Sequence, residues 1–320
     1  MLRGDVHTAP GAADRRLREA ATGSSPGEVF NEIAGAYDRH RPGYPEPLID
    51  EACELAGLTP GVSVLEIGCG TGQLTRSLLR RGLQATALEP GDRLLARARS
   101  RLAGRGEVRF INARLEDVTL PRAQFAAVFA ASAIHWVDPD VGWRTAADVL
   151  VDGGALVLVS RVGLRDARSA ADDDALRAVM ARVVPSVASD WPEYRDLDGT
   201  LAGVRARRSN VSEAWSWLTG RDLTRGWAQE LFWPAQVVAL PESLEHTGEE
   251  LAALLSTMSF WALLSPARRR VLAGAVGELH RRLGRPIRSS TAACAVVARR
   301  RPRRRDARRG DLASERLRRT

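Results

Sequence analysis

Apolar and polar positions alternate with two different periods along the chain between about residue 63 and residue 160. Short apolar runs are typical of buried strands, and runs with apolar residues three or four positions apart are typical of helices. The predicted strands are Ser63–Ile67, Gln84–Leu88, Val108–Asn112, Phe125–Ala130 and Ala155–Val159. The predicted helices between them are Gln73–Arg81, Arg93–Leu102 and Trp143–Leu150. This alternation predicts an α/β fold with a doubly wound, mostly parallel sheet.

The regions around this part divide the chain into five predicted units. A helix is predicted for Pro47–Leu58 before the first strand, and an antiparallel edge hairpin with intervening helices is predicted after residue 233. The elements after residue 233 are a strand Pro234–Leu240, helices Thr247–Leu255 and Pro266–Leu283, and a strand Ser289–Ala298. The units are a disordered leader (1–25), the core (26–160), a Trp-bearing helical lid (161–233), the C-terminal part of the core (234–298) and an Arg-rich disordered tail (299–320).

The segment Val64–Gly72 reads VLEIGCGTG, an apolar strand that leads into three glycines spaced as GxGxG. Glycine lets the backbone approach a ligand closely, and the helix Gln73–Arg81 offers unpaired N–H groups at its start. The next strand, Gln84–Leu88, is followed by Glu89, whose carboxylate can accept from both hydroxyls of a ribose. The pattern therefore predicts a nucleotide-like ligand at the carboxyl edge of a parallel sheet.

The glycine spacing distinguishes between ligand classes. A dinucleotide-binding loop normally reads GxGxxG, with its third glycine where Gln73 stands here. This chain instead has GxGxG with Glu66 two residues before Gly68, and the string EIGCGTG resembles motif I of the class I S-adenosylmethionine-dependent methyltransferases. The resemblance implies a Rossmann-like, seven-stranded sheet with an antiparallel edge strand, and S-adenosylmethionine as the cofactor.

Three further segments are similar to small-molecule methyltransferases related to trans-aconitate methyltransferase. They are FNEIA with YDRHRPGYP near the N-terminus, AASAIHWVDP after the fourth strand, and LLSTMS before the long C-terminal helix. The similarity extends over about residues 28–300 and is weakest in the predicted lid. It implies methyl transfer to a small organic acceptor in specialised metabolism, with oxygen weakly favoured as the nucleophile.

The resemblance assigns residues to the methionine and ribose parts of the cofactor. Gly68, Gly70 and Gly72 are expected to wrap the methionine portion, and Glu89 to bind the ribose. Glu66 is expected to accept from the ammonium group, directly or through water. The alternative for Glu66 is a carboxylate that packs on the amides of the loop.

At the adenine end, Arg114 and Leu115 follow the third strand. Many relatives carry an acid at the position of Arg114, but a guanidinium can only donate, so the adenine contact is expected from the backbone of Leu115. Ala130 and Ala131, at the end of the fourth strand, are expected to pass close to the sulfonium, although both also fit an ordinary buried strand.

The N-terminal segment offers groups for the charged parts of the cofactor. A sulfonium is attracted to the face of an aromatic ring, which Tyr37 or Tyr44 can supply. Arg41 can pair with the cofactor carboxylate. The alternative is a segment that is merely fixed by proline and tyrosine packing.

Methyl transfer depends mainly on positioning and exclusion of water. A hydroxyl acceptor also requires a base, and His135 is the histidine best placed for that role, with His40 a weaker candidate. Trp136 beside His135 favours the alternative that the histidine only packs. The three cysteines are far apart and show no metal-ligand spacing, so no metal is expected.

Net charge and hydropathy limit the partners. The formal charge is +8, but residues 299–320 hold 11 arginines and three acids and account for all of it. The remaining body is neutral and the chain has no lysine, so a nucleic-acid partner is not expected. No apolar run is long enough to span a membrane and no signal peptide is evident, which favours a cytoplasmic protein. The oligomeric state is not indicated.

Two alternatives stay open. The arginine-rich tail suits an RNA-associated methyltransferase or a nucleic-acid-binding protein that uses the tail as an electrostatic anchor. The glycine motif also fits a protein that binds S-adenosylmethionine without transferring its methyl group.

Overall fold

A computed structural model describes Gly35 and residues 39–41, 43–189 and 191–303. The predicted leader, Tyr37 and residues 304–320 of the predicted tail lie outside the described residues.

The described chain contains seven strands and eleven α-helices. The strands are β1 (Ser63–Ile67), β2 (Gln84–Leu88), β3 (Val108–Ile111), β4 (Phe125–Ala131), β5 (Leu150–Leu164), β6 (Gln236–His246) and β7 (Ile287–Arg299). The helices are α1 (Glu46–Leu55), α2 (Gln73–Arg80), α3 (Asp92–Leu102), α4 (Pro139–Val149), α5 (Ala170–Val183), α6 (Pro185–Ala188), α7 (Leu197–Ala206), α8 (Val211–Thr219), α9 (Gly248–Leu255), α10 (Ser259–Ala262) and α11 (Pro266–Leu283). Short 3₁₀ turns are formed by Leu115–Asp117, Ile134–Trp136 and Gly226–Glu230.

The strands form one sheet in the order β3-β2-β1-β4-β5-β7-β6. The first five run parallel, and β7 runs antiparallel to both of its neighbours. The predicted α/β fold with a mostly parallel seven-stranded sheet is confirmed. Because the chain moves from β1 towards β3 and then returns to place β4 on the other side of β1, the order reverses between β1 and β4. Crevices at such reversal points are where open α/β sheets bind ligands.

Successive side chains of each strand lie on opposite faces of the sheet, and both faces are buried. Leu65 and Ile67 belong to one core, which α4 and α8 cover, and Val64 belongs to the opposite core, which α1 and α2 cover. Glu66 has the same parity as Val64 and is also buried, so a carboxylate lies inside a sheet face that is otherwise apolar.

The predicted boundaries of β5, β6 and the helix α4 were wrong by four residues or more. Strand β5 begins five residues earlier than predicted, where Leu150 pairs with Phe125 of β4. It ends five residues later than predicted, because it pairs with β7 from Ala155 opposite Arg299 to Leu164 opposite Ser290. Strand β6 ends at His246 rather than Leu240. Helix α4 begins at Pro139 rather than Trp143, because the Asp138 side chain accepts from the Asp140 N–H and caps the helix.

The segment predicted as one lid divides between two cores. Helix α8 and its Trp215 pack on the sheet face that also holds Trp143 of α4. Helices α5 and α6 instead pack against α9, α10 and α11 in a separate apolar cluster. None of the described residues in this segment lines the cleft described below, so its role as a substrate lid stays a prediction.

The first residues of the predicted tail belong to the folded body. Arg299 donates to the carbonyl of Leu55, Arg300 is buried and pairs with Asp152, and the Arg301 guanidinium lies 4.1 Å from the ring centroid of Trp233. These contacts lie at the amino end of the parallel part of β5. The arginine-rich tail therefore starts at the edge of the sheet opposite the ends of β1 and β4.

Candidate cofactor and methyl-transfer site

A cleft of about 800 Å³, including its open mouth, lies at the carboxyl ends of the parallel strands. Its walls come from the loops after β1, β2, β3 and β4. The lining residues are Ile67, Gly68, Gly70, Leu88, Glu89, Pro90, Leu94, Ala113, Arg114, Leu115, Glu116, Ala131, Ser132, Ala133, Trp136 and Val137.

The glycine loop after β1 is shaped by close contacts as well as by backbone conformation. At Gly68 an added Cβ would lie 2.6 Å from the Cβ of Ala133, so the loops after β1 and β4 touch at this point. At Gly70, where φ is +57°, an added Cβ would meet no atom within 4 Å, and the residue lines the cleft. Gly72 is absent from the lining, and an added Cβ there would lie 2.9 Å from Leu102 of α3. Gly68 and Gly70 thus shape the cleft, whereas Gly72 permits helix packing.

Glu89 is buried at the end of β2 and faces the glycine loop. Its two carboxylate oxygens accept from the backbone N–H groups of Gly70 and Gly91, each at 2.9 Å. Burial raises the pKa of Glu89, and these two hydrogen bonds oppose that shift. The carboxylate is held rigidly in the cleft wall and keeps lone pairs for a further donor on each oxygen.

Glu66 lies beneath the loop rather than in the cleft wall. Its carboxylate accepts from the hydroxyl of Thr75 on α2 at 2.6 Å. Burial raises the pKa of Glu66 to about 7, the Thr75 hydroxyl lowers it and the charge of Glu89 raises it further. The observed contact is with a helix side chain and not with the loop amides, so neither expectation for Glu66 is directly tested.

The residues after β3 form the far end of the cleft. Arg114 and Leu115 both line it, and the Arg114 guanidinium donates to Glu116 at 3.1 Å. The adenine contact of these residues stays a prediction. Glu116 also accepts from the backbone N–H of Asp138 at 3.0 Å, which ties the loop after β3 to the start of α4. Sequence reasoning missed Glu116, although its place in a turn after a strand marked it as a candidate for this edge.

The end of β4 contributes Ala131 and Ser132 to the lining of the cleft, and only the alanine was predicted as a site residue. Ala131 lines the cleft, while Ala130 is fully buried and is absent from the lining. Ser132, which sequence reasoning also missed, lines the cleft with φ of +50°. Its Oγ lies 2.9 Å from the Tyr44 Oη. Its only sequence signal is its position directly after the strand.

The N-terminal segment reaches the same edge through hydrogen bonds. The Arg41 guanidinium donates to the hydroxyl and carbonyl of Thr257, at 3.1 and 3.3 Å, and the Arg41 carbonyl accepts from Gln73 at 3.0 Å. Arg41 is not among the residues lining the cleft, and Tyr37 lies outside the described residues. A cofactor role for either residue stays a prediction.

His135 is buried on the 3₁₀ turn after β4, with its ring centroid 5.1 Å from that of Trp136. Trp136 lines the cleft and His135 does not. The geometry therefore gives no support to His135 as a base, and this role too stays a prediction.

The described residues offer no candidate metal site and no candidate membrane-spanning helix. No group of three or more His, Cys, Asp or Glu residues among them is arranged to hold a metal ion. No helix in this part of the chain has the length and apolar character needed to cross a membrane.

Comparisons with known proteins agree on one family. A family model described as a methyltransferase domain matches residues 65–158. An uncharacterized methyltransferase of Mycobacterium tuberculosis is 37% identical over 130 residues, which are 41% of this chain and 51% of that protein. The chain thus matches about half the length of this relative. A demethylmenaquinone methyltransferase of Tropheryma whipplei is 30% identical over 185 residues, which are 54% of this chain and 74% of that protein.

One solved structure supports the fold. The putative type II methyltransferase of Anaeromyxobacter dehalogenans superposes with a TM-score of 0.50 at 23% identity, covering 81% of this chain and 97% of that one. At this identity the similarity concerns the fold alone.

Proposed function

Since this chain belongs to the class I S-adenosylmethionine-dependent methyltransferases, we propose that it transfers the methyl group of S-adenosylmethionine to a small organic acceptor. The observation that carries the proposal is the convergence of Gly68, Gly70 and Glu89 on one cleft at the reversal point of the sheet. In this arrangement an open glycine backbone and a rigidly held carboxylate, joined by the hydrogen bond from the Gly70 N–H to Glu89, line the same cleft.

The proposed cofactor orientation follows from the chemistry of the walls. The methionine portion lies along Gly68 and Gly70, and at Gly70 no protein atom lies within 4 Å of the position that a Cβ would take. The two ribose hydroxyls donate to the oxygens of Glu89, each of which already accepts one backbone N–H. The ammonium group lies above Glu66, whose raised pKa indicates a carboxylate that lacks a compensating cation.

At the other end of the proposed orientation, adenine packs near Leu115 and the backbone N–H of that residue donates to the ring. Arg114 cannot accept from the amino group of adenine, and its guanidinium is engaged with Glu116. The sulfonium then lies at the end of β4 beside Ala131, close to the point where the two loops touch.

The acceptor is proposed as a small organic molecule. The segments that are similar to trans-aconitate methyltransferase and its relatives support this, as does the relative named for demethylmenaquinone. Oxygen as the nucleophile is an expectation from sequence alone. Conversion of S-adenosylmethionine in the presence of phenol, benzoate or benzylamine is the assay that separates oxygen from nitrogen acceptors.

The RNA-associated alternative receives no support from the fold. The described start of the tail lies at the amino end of the parallel part of β5, where the Arg300 N–H donates to the Gly154 carbonyl at 2.7 Å, whereas the cleft lies at the carboxyl ends of β1 and β4. Five strand residues separate these edges, which is about 15 Å.

Calorimetric titration with S-adenosylmethionine and S-adenosylhomocysteine tests the proposal. We expect micromolar affinity for the wild type, about −8 kcal/mol, and at least a tenfold loss in Glu89→Gln. The matched control is Glu250→Gln, because Glu250 also accepts a backbone N–H, from Thr247 at 2.8 Å, but lies outside the cleft. The control should bind like the wild type. A folded wild type that binds neither compound would refute the proposal.

A further inference from the structure

Ser132 has a backbone conformation that an L-residue rarely adopts. Among the described residues other than glycine, only Ser132 and Ala123 have a positive φ, of +50° and +51°. Such a conformation is strained for any residue with a Cβ, and strain of this kind concentrates at functional sites. Ala123 lies in the turn before β4, away from the cleft, whereas Ser132 lies in the cleft wall. A glycine would satisfy the same backbone at Ser132, so its hydroxyl requires an explanation.

Two neighbouring hydroxyls hold the side chain of Ser132 in place. Its Oγ lies 2.9 Å from the Tyr44 Oη and 3.5 Å from the Ser160 Oγ. Its backbone N–H donates to the carbonyl of Val159 at 2.8 Å, so the main chain is fixed as well. Three hydroxyl oxygens from three separate parts of the chain therefore meet at the carboxyl ends of β4 and β5.

The position of this cluster relates it to the reacting end of the cofactor. Ser132 lies between Ala131 and Ala133 in the cleft wall, and Ala133 is the residue that approaches Gly68. In the cofactor orientation proposed above, the sulfonium lies at this point. Its methyl group carries partial positive charge, which oxygen lone pairs attract through C–H···O contacts.

We propose that the hydroxyl oxygen of Ser132, oriented by Tyr44, binds the sulfonium methyl group and makes the site prefer the charged methyl donor over its demethylated product. Ser132 contacts the cofactor directly, and Tyr44 is a positioning residue. This inference rests on the proposed function. From the sequence, the ring of Tyr44 was expected to contact the sulfonium directly. In this proposal Tyr44 acts instead through the hydrogen bond between its hydroxyl and Ser132.

Calorimetry with S-adenosylmethionine and S-adenosylhomocysteine provides the test without knowledge of the acceptor. In Ser132→Ala and Ser132→Gly, affinity for S-adenosylmethionine should fall about two- to fivefold, as for the loss of one C–H···O contact, while affinity for S-adenosylhomocysteine stays within twofold. The analogue sinefungin carries an amino-bearing carbon in place of the sulfonium. The affinity of the two Ser132 variants for sinefungin should fall by a larger factor, because its N–H groups make stronger hydrogen bonds than a methyl group does.

Ala123→Gly is the matched control. Both glycine variants relieve the same strained φ, and Ser132→Gly also loses the hydrogen bonds of its hydroxyl, so only Ala123→Gly should raise the melting temperature slightly. Ala123→Gly should leave all three affinities unchanged. Tyr44→Phe should reproduce the change in ligand preference in weaker form, and the double variant with Ser132→Ala should add little to it.

The outcomes separate the two proposals. Absence of binding of all ligands by the wild type would refute the proposed function itself. Normal binding with an unchanged preference in Ser132→Gly would overturn only the role of Ser132, and the serine would then be a turn residue without a part in binding. An equal fall in affinity for S-adenosylmethionine and S-adenosylhomocysteine would also overturn it, since the hydroxyl would then make no contact that depends on the methyl group.

Discussion

Replacement of Gly70 by alanine separates the cost of backbone strain from the cost of a blocked cleft. Gly70 has φ of +57°, and the space that its Cβ would fill is empty of protein atoms within 4 Å. Strain at such a φ costs about 1–2 kcal/mol, and the less flexible unfolded chain returns about 0.4–1 kcal/mol. The net loss of stability is about 1 kcal/mol, which lowers the melting temperature by about 2–4 °C.

The same methyl group has a larger effect on binding. Because the open space beside Gly70 belongs to the cleft, the Cβ of alanine would occupy volume assigned to the methionine part of the cofactor. We expect affinity for S-adenosylmethionine to fall at least tenfold, about 1.4 kcal/mol. Calorimetry on the purified variant, with its melting temperature measured alongside, provides both quantities.

Gly284 supplies a matched control for this substitution. It ends α11 with φ of +63°, an added Cβ there would also meet no atom within 4 Å, and it does not line the cleft. Gly284→Ala should therefore lose the same stability and bind the cofactor normally. Wild-type affinity in Gly70→Ala, or an equal loss of affinity in both variants, would show that the cofactor does not lie along the glycine loop.

Three further substitutions test other parts of the structure. Burial raises the pKa of Glu66 to about 7 from 4.5, so between these pH values the folded protein keeps a proton that the unfolded chain has lost. The free energy of unfolding should therefore fall as the pH rises through this window, by about 3 kcal/mol in total, and urea titrations at pH 5 and pH 8 should show this slope in the wild type but not in Glu66→Gln. Gly72→Ala would bring a Cβ within 2.9 Å of Leu102, so it should lower the melting temperature more than Gly70→Ala while the folded protein retains its affinity for S-adenosylmethionine; tenfold weaker binding would place Gly72 in the site. Asp172→Asn removes the charge that pairs with Arg285 at 2.7 Å and should cost about 2–3 kcal/mol in urea unfolding without changing cofactor affinity; a loss below about 0.5 kcal/mol would contradict a structural role for this pair.

The parts of the fold that depend on neighbouring residues were predictable from the sequence. Strands β1 and β2 have the predicted bounds, because each is a short apolar run that ends at a glycine or an acid. The cleft also lies where the GxGxG spacing and Glu89 indicated. Local sequence was sufficient to predict these elements, because the strand, the turn and the following helix each have a recognisable pattern of their own.

Features that depend on distant residues were not predictable in this way. The length of β5 is set by its pairing with β7, more than 100 residues later, and no periodicity within β5 marks where that pairing ends. The division of residues 161–233 between two cores depends on which helices lie opposite. Ser132 is a similar case, because its positive φ is fixed by contacts with Tyr44 and Val159. Asp138, by contrast, carried a readable N-cap signal before Pro139 that the prediction of α4 did not use.

The two buried carboxylates explain why the cleft is suited to a cationic ligand. Glu66 and Glu89 are both at least 95% buried, and their described partners are the Thr75 hydroxyl and two backbone N–H groups, none of which is a cation. Burial raises the pKa of each, and the charge of Glu89 raises that of Glu66 further, so the surroundings disfavour the ionised form of both groups. A ligand with positive charge near Glu66 and hydroxyl donors near Glu89 would relieve both penalties together. S-adenosylmethionine carries both an ammonium group and a ribose, so the proposed orientation would place a donor near each of the two carboxylates.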